Sequence, residues 1–216
     1  MEYFLDEKGT VIVFEIIKTI QENKEYLSEI DGAIGDGDHG INMSKGFTIC
    51  KSRLKGDEGF SDALSVLGKV LLMEVGGSMG PLYGTLFLEM SKSIKGKDKI
   101  DLSIFAEMLE SSVKGIQGLS NARVGDKTLM DTLIPAAETF RAAVEKGSSF
   151  AQGLHEMVAA AETGRDSTKE MVAKIGRASR LGERSRGVLD AGATSCCLIL
   201  KSMAYATEGL LQEQPA

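Results

Sequence analysis

The residues best equipped for chemistry lie together near the amino end. Asp31-Gly-Ala-Ile-Gly-Asp36-Gly-Asp38-His39-Gly40 places three carboxylates within eight residues, with four glycines between and after them. Like charges this close repel, so the loop either splays its acids into water or folds them around a hard divalent cation, and glycine gives the backbone the freedom to do the second. A polar turn between two helices is the plainer reading, but a turn has no need of three acids. Mg2+ suits the donor set because it keeps waters, takes one or two carboxylates per ion and completes its octahedron with phosphate oxygens. Three carboxylates could hold two such ions and reverse the sign of the loop, so that an acidic patch would grip a polyphosphate.

The familiar nucleotide motifs do not account for this loop. Gly35, Gly37 and Gly40 spell G-x-G-x-x-G, yet the residues before them read as helix rather than strand, and Asp36 and Asp38 would push a pyrophosphate away. An EF-hand counted from Asp36 would need glycine where Ile41 stands and glutamate where Phe47 stands. Gly118 to Lys127 comes nearest to a Walker A sequence, with Asp126 intervening between glycine and lysine.

Three other glycine-rich segments join helical stretches. Val75-Gly-Gly-Ser78-Met79-Gly-Pro-Leu-Tyr-Gly-Thr85 allows close backbone approach and opens a helix whose first N–H groups can donate to an anion; plain helix packing explains it nearly as well. Gly125-Asp126-Lys127-Thr128 opens another helix, with Asp126 or Thr128 as its cap. The stretch from Gly176 to Ser195 carries Arg177, Arg180, Arg184 and Arg186, whose guanidinium forks suit phosphate oxygens or, more plainly, surface acids.

The elements that must position these segments are helical. Of 216 residues 43% are hydrophobic and only 6% aromatic, with no Trp and three prolines, which favours helix and excludes an all-β fold. Apolar residues at helical spacing mark a first helix through Val13, Ile16, Ile17, Ile20 and Leu27, capped by Thr10. Others follow from Asn42 to Lys55, through Leu64 to Val75, after Pro81, after an Asp101 cap, from Thr128 to Asp131 onward with Ile134 and Phe140 inward, from Ser149 to Thr163, after Asp166 to Ile175, and from Ala193 to Leu211. No strand segment is evident. The expectation is an all-α single domain over residues 1–216, a bundle of about eight mostly antiparallel helices.

The formal charge of −6 and the absence of a basic block argue against nucleic acid. No apolar run reaches membrane-spanning length, and the amino end carries acids where a signal peptide needs bases, so a cytoplasmic protein without a membrane partner is expected. Cys50, Cys196 and Cys197 read as reduced, buried side chains, and His155 as a structural residue.

Taken jointly, DGAIGDGDHG, GGSMGPLYGT, GDKT and GRASRLGERS…DAGATS resemble one family, the nucleotide-binding L subunit of dihydroxyacetone kinase, also found as the C-terminal domain of single-chain dihydroxyacetone kinases. The pieces stand in family order and cover nearly the whole chain. The resemblance implies a barrel of eight antiparallel helices with ADP or ATP bound across one end through two Mg2+ ions. It makes Asp31, Asp36 and Asp38 the metal ligands, and gives the nucleotide site His39, Gly40, Ile41, Asn42, Ser78, Met79, Ser120, Leu129, Arg177, Asp190, Ala191 and Gly192. Arg177, a fixed positive charge, and His39 are the catalytic candidates. Two departures stand out: Met79 is larger and apolar where a hydroxyl is usual, and Gly187-Val188-Leu189-Asp190-Ala191-Gly192 lacks the histidine and proline of the family's GHxDPG pattern.

The family's covalent ketose-binding K domain is missing from this chain, so the implied function is an ADP- or ATP-binding kinase subunit. Its partners would be a separate K subunit and a phosphotransferase-system phosphocarrier M subunit as donor, with a homodimer as a further assembly. The missing histidine and proline motivate an alternative, a nucleotide-sensing regulatory module that turns nothing over. A Mg2+-dependent hydrolase acting alone is disfavoured because no general base is evident besides His39.

Overall fold

A computed structural model describes residues 2–213. Its elements run β1 (Glu2–Leu5), α1 (Thr10–Glu22), α2 (Lys24–Ile34), α3 (His39–Arg53), α4 (Phe60–Glu74), α5 (Met79–Ile94), β2 (Lys99–Asp101), α6 (Leu102–Gln117), α7 (Met130–Lys146), α8 (Phe150–Ser167), α9 (Ala191–Glu208) and β3 (Gln212–Glu213). Short 3-10 turns lie at Asp6–Lys8, Thr168–Glu170 and Arg177–Ser185. Helices α4 to α9 pack on their chain neighbours around a ring, and α1, touching α9, α3 and α4, closes it. This is the all-α bundle expected from the periodicity.

Several boundaries differ from the sequence reading. The stripe from Val13 to Leu27 is broken at Asn23, whose side-chain amide donates to the Thr19 carbonyl and ends α1 before α2 begins. Thr10 is the first residue of α1 rather than its cap, and its hydroxyl bonds to the Glu58 carbonyl. Helix α8 runs on to Ser167, the stretch that follows is a 3-10 turn and irregular chain, and α9 ends at Glu208. Three short strands form an antiparallel sheet in the order β2-β1-β3, with Tyr3 opposite both Asp101 and Gln212. Strands of two to four residues are too short to show alternation.

The sheet closes one end of the bundle. Phe4 from β1 enters an aromatic cluster, 5.5 Å from Phe60, while Phe150 lies 5.4 Å from Phe105 and 5.9 Å from Phe140, the ring pairs meeting edge to face. Helices that begin at this end have their first N–H groups satisfied by side chains. Asp6 accepts from Ser61 N at 2.8 Å, Asp101 from Ile104 N at 2.9 Å as expected for that cap, and Ser149 from Gln152 N at 3.1 Å, with Glu2 also bound to the start of α8.

The opposite end is assembled by glycine contacts. A Cβ on Gly40 would lie 1.9 Å from the Lys24 carbonyl oxygen, one on Gly80 2.1 Å from that of Val75, and one on Gly164 2.1 Å from that of Asp131. Backbone thus meets backbone where α3, α5 and α7 begin, and no larger residue fits there. Replacing Gly164 by alanine should force α8 away from α7 and cost about 2–4 kcal/mol in urea unfolding. Gly76→Ala, with open space around its Cβ, should stay within about 0.5 kcal/mol of the parent.

Candidate functional site

An up-and-down bundle turns every second helix start toward the same end. Here α3, α5, α7 and α9 all begin at one cavity of about 590 Å³. His39 and Asn42 line it from α3, Ser78, Met79 and Tyr83 from α5, Leu129 and Met130 from α7, and Asp190, Ala191 and Gly192 from α9. Each start carries roughly half a positive charge, so the cavity is biased toward anions. Unlike the helices that begin at the sheet end, α5 begins without a side-chain cap, leaving backbone donors for a ligand, whereas the first amide of α3 meets an Asp31 oxygen.

The acidic loop crosses this mouth. Asp31 closes the last turns of α2, Gly35 N donates to its carbonyl, and Gly37, at φ 76°, turns the chain back so that Asp36 and Asp38 return toward it. One carboxylate oxygen from each of Asp31, Asp36 and Asp38 lies within 4.8 Å of the other two. Arg177 pairs with Asp36, and among the described residues no cation pairs with Asp31 or Asp38. A set of three hard oxygen donors with this much uncompensated charge fits a divalent cation such as Mg2+.

His39 sits behind the acids, buried, with its backbone N–H 3.3 Å from an Asp31 oxygen. Its Nε2 lies 2.8 Å from Ser195 Oγ, which lies 2.5 Å from the Tyr83 hydroxyl; that hydroxyl is 2.9 Å from the Gly192 carbonyl. One consistent proton order has His39 donate to Ser195, Ser195 to Tyr83 and Tyr83 to Gly192. Three walls of the cavity are thereby tied together. Burial lowers the His39 pKa to about 4, against the pull of Asp31, so its imidazole is neutral near pH 7.

Two further groups shape the start of α7. Asp131, fully buried, accepts from Gly125 N at 2.5 Å and Thr128 N at 2.7 Å and so fixes this turn; of the two caps expected from sequence, Thr128 accepts from Met130 N, the first amide of α7, at 3.2 Å, whereas Asp126 accepts from Arg123 N. Asp190 caps α9 by accepting from Ala193 N at 2.7 Å, and burial raises its pKa to about 6, neighbouring Asp131 adding to the rise. Asp190 and Tyr83 hold the turn at Val188 to Gly192 without the family's histidine and proline.

Asp31, Asp36, Asp38, His39, Asn42, Ser78, Met79, Ser120, Leu129, Arg177, Asp190, Ala191 and Gly192 therefore surround one cavity. Gly40 and Ile41 do not line it: Gly40 packs on α2 and the Ile41 side chain faces solvent. Sequence reasoning missed Tyr83, Ser195 and Asp131, and it read Lys127 only as the lysine of a failed Walker A match and as part of a helix start. The cavity also has an apolar flank, Leu82, Ile116 and Leu119. The three cysteines are free and buried, and His155 bonds Glu208 on the surface at 3.1 Å.

A family model for the DAK2 domain matches residues 33–205. The chain belongs to the DAK2 domain family. It is 36% identical over 186 residues to the ADP-binding subunit DhaL of the PEP-dependent dihydroxyacetone kinase of Escherichia coli (strain K12), covering 85% of this chain and 89% of that one. It is 38% identical over 187 residues to the ADP-binding subunit DhaL of the PTS-dependent dihydroxyacetone kinase of Lactococcus lactis subsp. lactis (strain IL1403), with coverage of 85% and 88%. The dihydroxyacetone kinase of C. freundii shares the fold: its native structure superposes with a TM-score of 0.70 at 21% identity over 91% of this chain and 34% of that one. Its complex with AMP-PNP and Mg2+ gives 0.66 at 20% identity over 91% and 33%. No helix among the described residues of this DAK2 chain is long and apolar enough to cross a membrane.

Two opposed titrations follow from the site. Neutral His39 makes the unfolded chain bind the extra proton between pH 4 and 6.5, so its contribution to stability rises with pH there; Asp190, protonated more readily when folded, contributes a fall between pH 3.8 and 6. They cancel over most of that window. Relative to the parent, His39→Gln should lose up to about 1.4 kcal/mol of slope per pH unit and Asp190→Asn should gain a similar slope, measured by urea unfolding from pH 4 to 6.5.

Proposed function

We propose that this chain is the ADP- or ATP-binding phosphoryl-transfer subunit of a dihydroxyacetone-type kinase. It acts with a separate ketose-binding K subunit and takes its phosphoryl group from a phosphocarrier M subunit of the phosphotransferase system. The observation that carries the reading is the convergence of three carboxylates on a cavity into which the uncapped start of α5 opens. The naming of the E. coli and L. lactis relatives as ADP-binding subunits supports it.

Asp31, Asp36 and Asp38 would hold Mg2+, as two ions, which when bound neutralise phosphate charge. The first amides of α5 and the Asn42 side chain are the donors for phosphate oxygens. Leu129 and the apolar flank with Ile116 and Leu119 take the base, with Ser120 at its edge. Arg177 brings a guanidinium fork suited to equatorial oxygens during transfer. His39, neutral and with its one N–H given to Ser195, leaves Nδ1 as an acceptor for a bound water and is not a proton donor of imidazolium type. No nucleophile on this chain is required, because positioning and charge neutralisation carry phosphoryl transfer.

The protein, mixed with a ketose-binding subunit, dihydroxyacetone and either ATP or a phosphorylated carrier chain, should phosphorylate the ketose, and Asp36→Asn should lower the rate about a hundredfold or more. Tight nucleotide binding without turnover from any donor would replace this reading by the regulatory one.

A further inference from the structure

Lys127 is a charged side chain with almost no exposure, 1%, and among the described residues it is the only non-glycine residue with positive φ, 62°. Such a backbone is strained for a residue with a Cβ and persists only where the surroundings demand it. The side chain shows the demand. Its ammonium lies 2.6 Å from the Ser185 carbonyl oxygen, 2.6 Å from that of Val188 and 3.3 Å from that of Met171. An ammonium has three N–H donors, and all three are taken by main-chain carbonyls, so none is left for a phosphate. This sets Lys127 apart from a P-loop lysine.

The three carbonyls belong to the two roots of one excursion. Met171 lies where the chain leaves the bundle and Ser185 and Val188 where it returns, while Gly176, Arg177 and Ala178 between them line the cavity. Other bonds join the same roots: Gly187 N to Lys169 O at 2.7 Å, Ala173 N to Ser185 Oγ at 2.9 Å, and Lys174 N to Asp126 O at 3.1 Å. Among the described residues Lys127 is the only side chain reaching both roots from the start of α7.

We propose that Lys127 is a positioning residue: it clamps both roots of the 171–188 segment to the start of α7 and thereby sets Arg177 over the acidic loop. The role of Arg177 in transfer rests on the function proposed above; the clamp itself does not. Truncating the clamp frees the segment but leaves the carboxylates and the α3 and α5 starts intact, so nucleotide binding and transfer should respond differently.

Lys127→Met and Lys127→Arg are compared with the parent and with Arg177→Ala. In Lys127→Met, trypsin should cut after Arg180 or Arg184 at least about tenfold faster, with cuts elsewhere unchanged, as mapped by mass spectrometry on the nucleotide-free protein. In the assay with the ketose-binding subunit, kcat should fall about tenfold or more while the Kd for Mg2+ and ADP changes less than about threefold. Lys127→Arg, which keeps the charge but not the three-point geometry, should fall between and supplies the reading if the methionine variant does not fold. Unchanged trypsin sensitivity of the segment in both variants, or an ADP affinity that falls in step with kcat, overturns the clamp. If Arg177→Ala leaves kcat unaltered while the cleavage result holds, the clamp stands and the proposed role of Arg177 fails instead.

Discussion

The constraint on which this molecule turns is electrostatic. Three carboxylates within 4.8 Å of one another, with one arginine paired to one of them, repel by about 1 kcal/mol per pair in water-like surroundings and about 3 near a protein surface. The fold does not relieve this. Gly37 turns the loop back, Gly35 N ties it to Asp31, and the close backbone approach at Gly40 seats the start of α3 against α2. A chain that spends backbone freedom on holding acids together is built for a cation that arrives from outside.

The same end of the bundle answers the cation with its opposite. The up-and-down order brings four helix starts to the cavity, and that of α5 is left uncapped, although at the sheet end Asp6, Asp101, Ser149 and Glu2 satisfy the corresponding groups. Anion donors and cation ligands thus face one space of about 590 Å³. Each would be costly without its ligand, and a metal-bound polyphosphate meets both at once. The buried chain from His39 through Ser195 and Tyr83 to Gly192 keeps the α3, α5 and α9 walls in register.

Much of this could be read from the sequence, and the boundary has a physical cause. The aspartate trio and its glycines are local, so their meaning is visible in ten residues. Asp101 is legible as a cap because its bond spans three residues. The break at Asn23 is hidden because the apolar stripe continues through it, and the strands are hidden because they are only a few residues long and pair with distant segments. Lys127, Ser195 and Tyr83 act across 44 to 156 residues of chain, and no local pattern announces such partners. The backbone amides where Gly40 and Ile41 stand are a different case: the motif marks the right turn of chain, but close packing rather than cavity lining fixes the glycine.

The most direct measurement is calorimetric titration of ADP into the purified protein over a series of Mg2+ concentrations, with chelator at the low end. ADP affinity should rise steeply with free Mg2+ and be lost in chelator, since bare carboxylates repel a polyphosphate. Affinity that is the same with and without the divalent ion would show that the acidic loop does not anchor the ligand and would contradict the account.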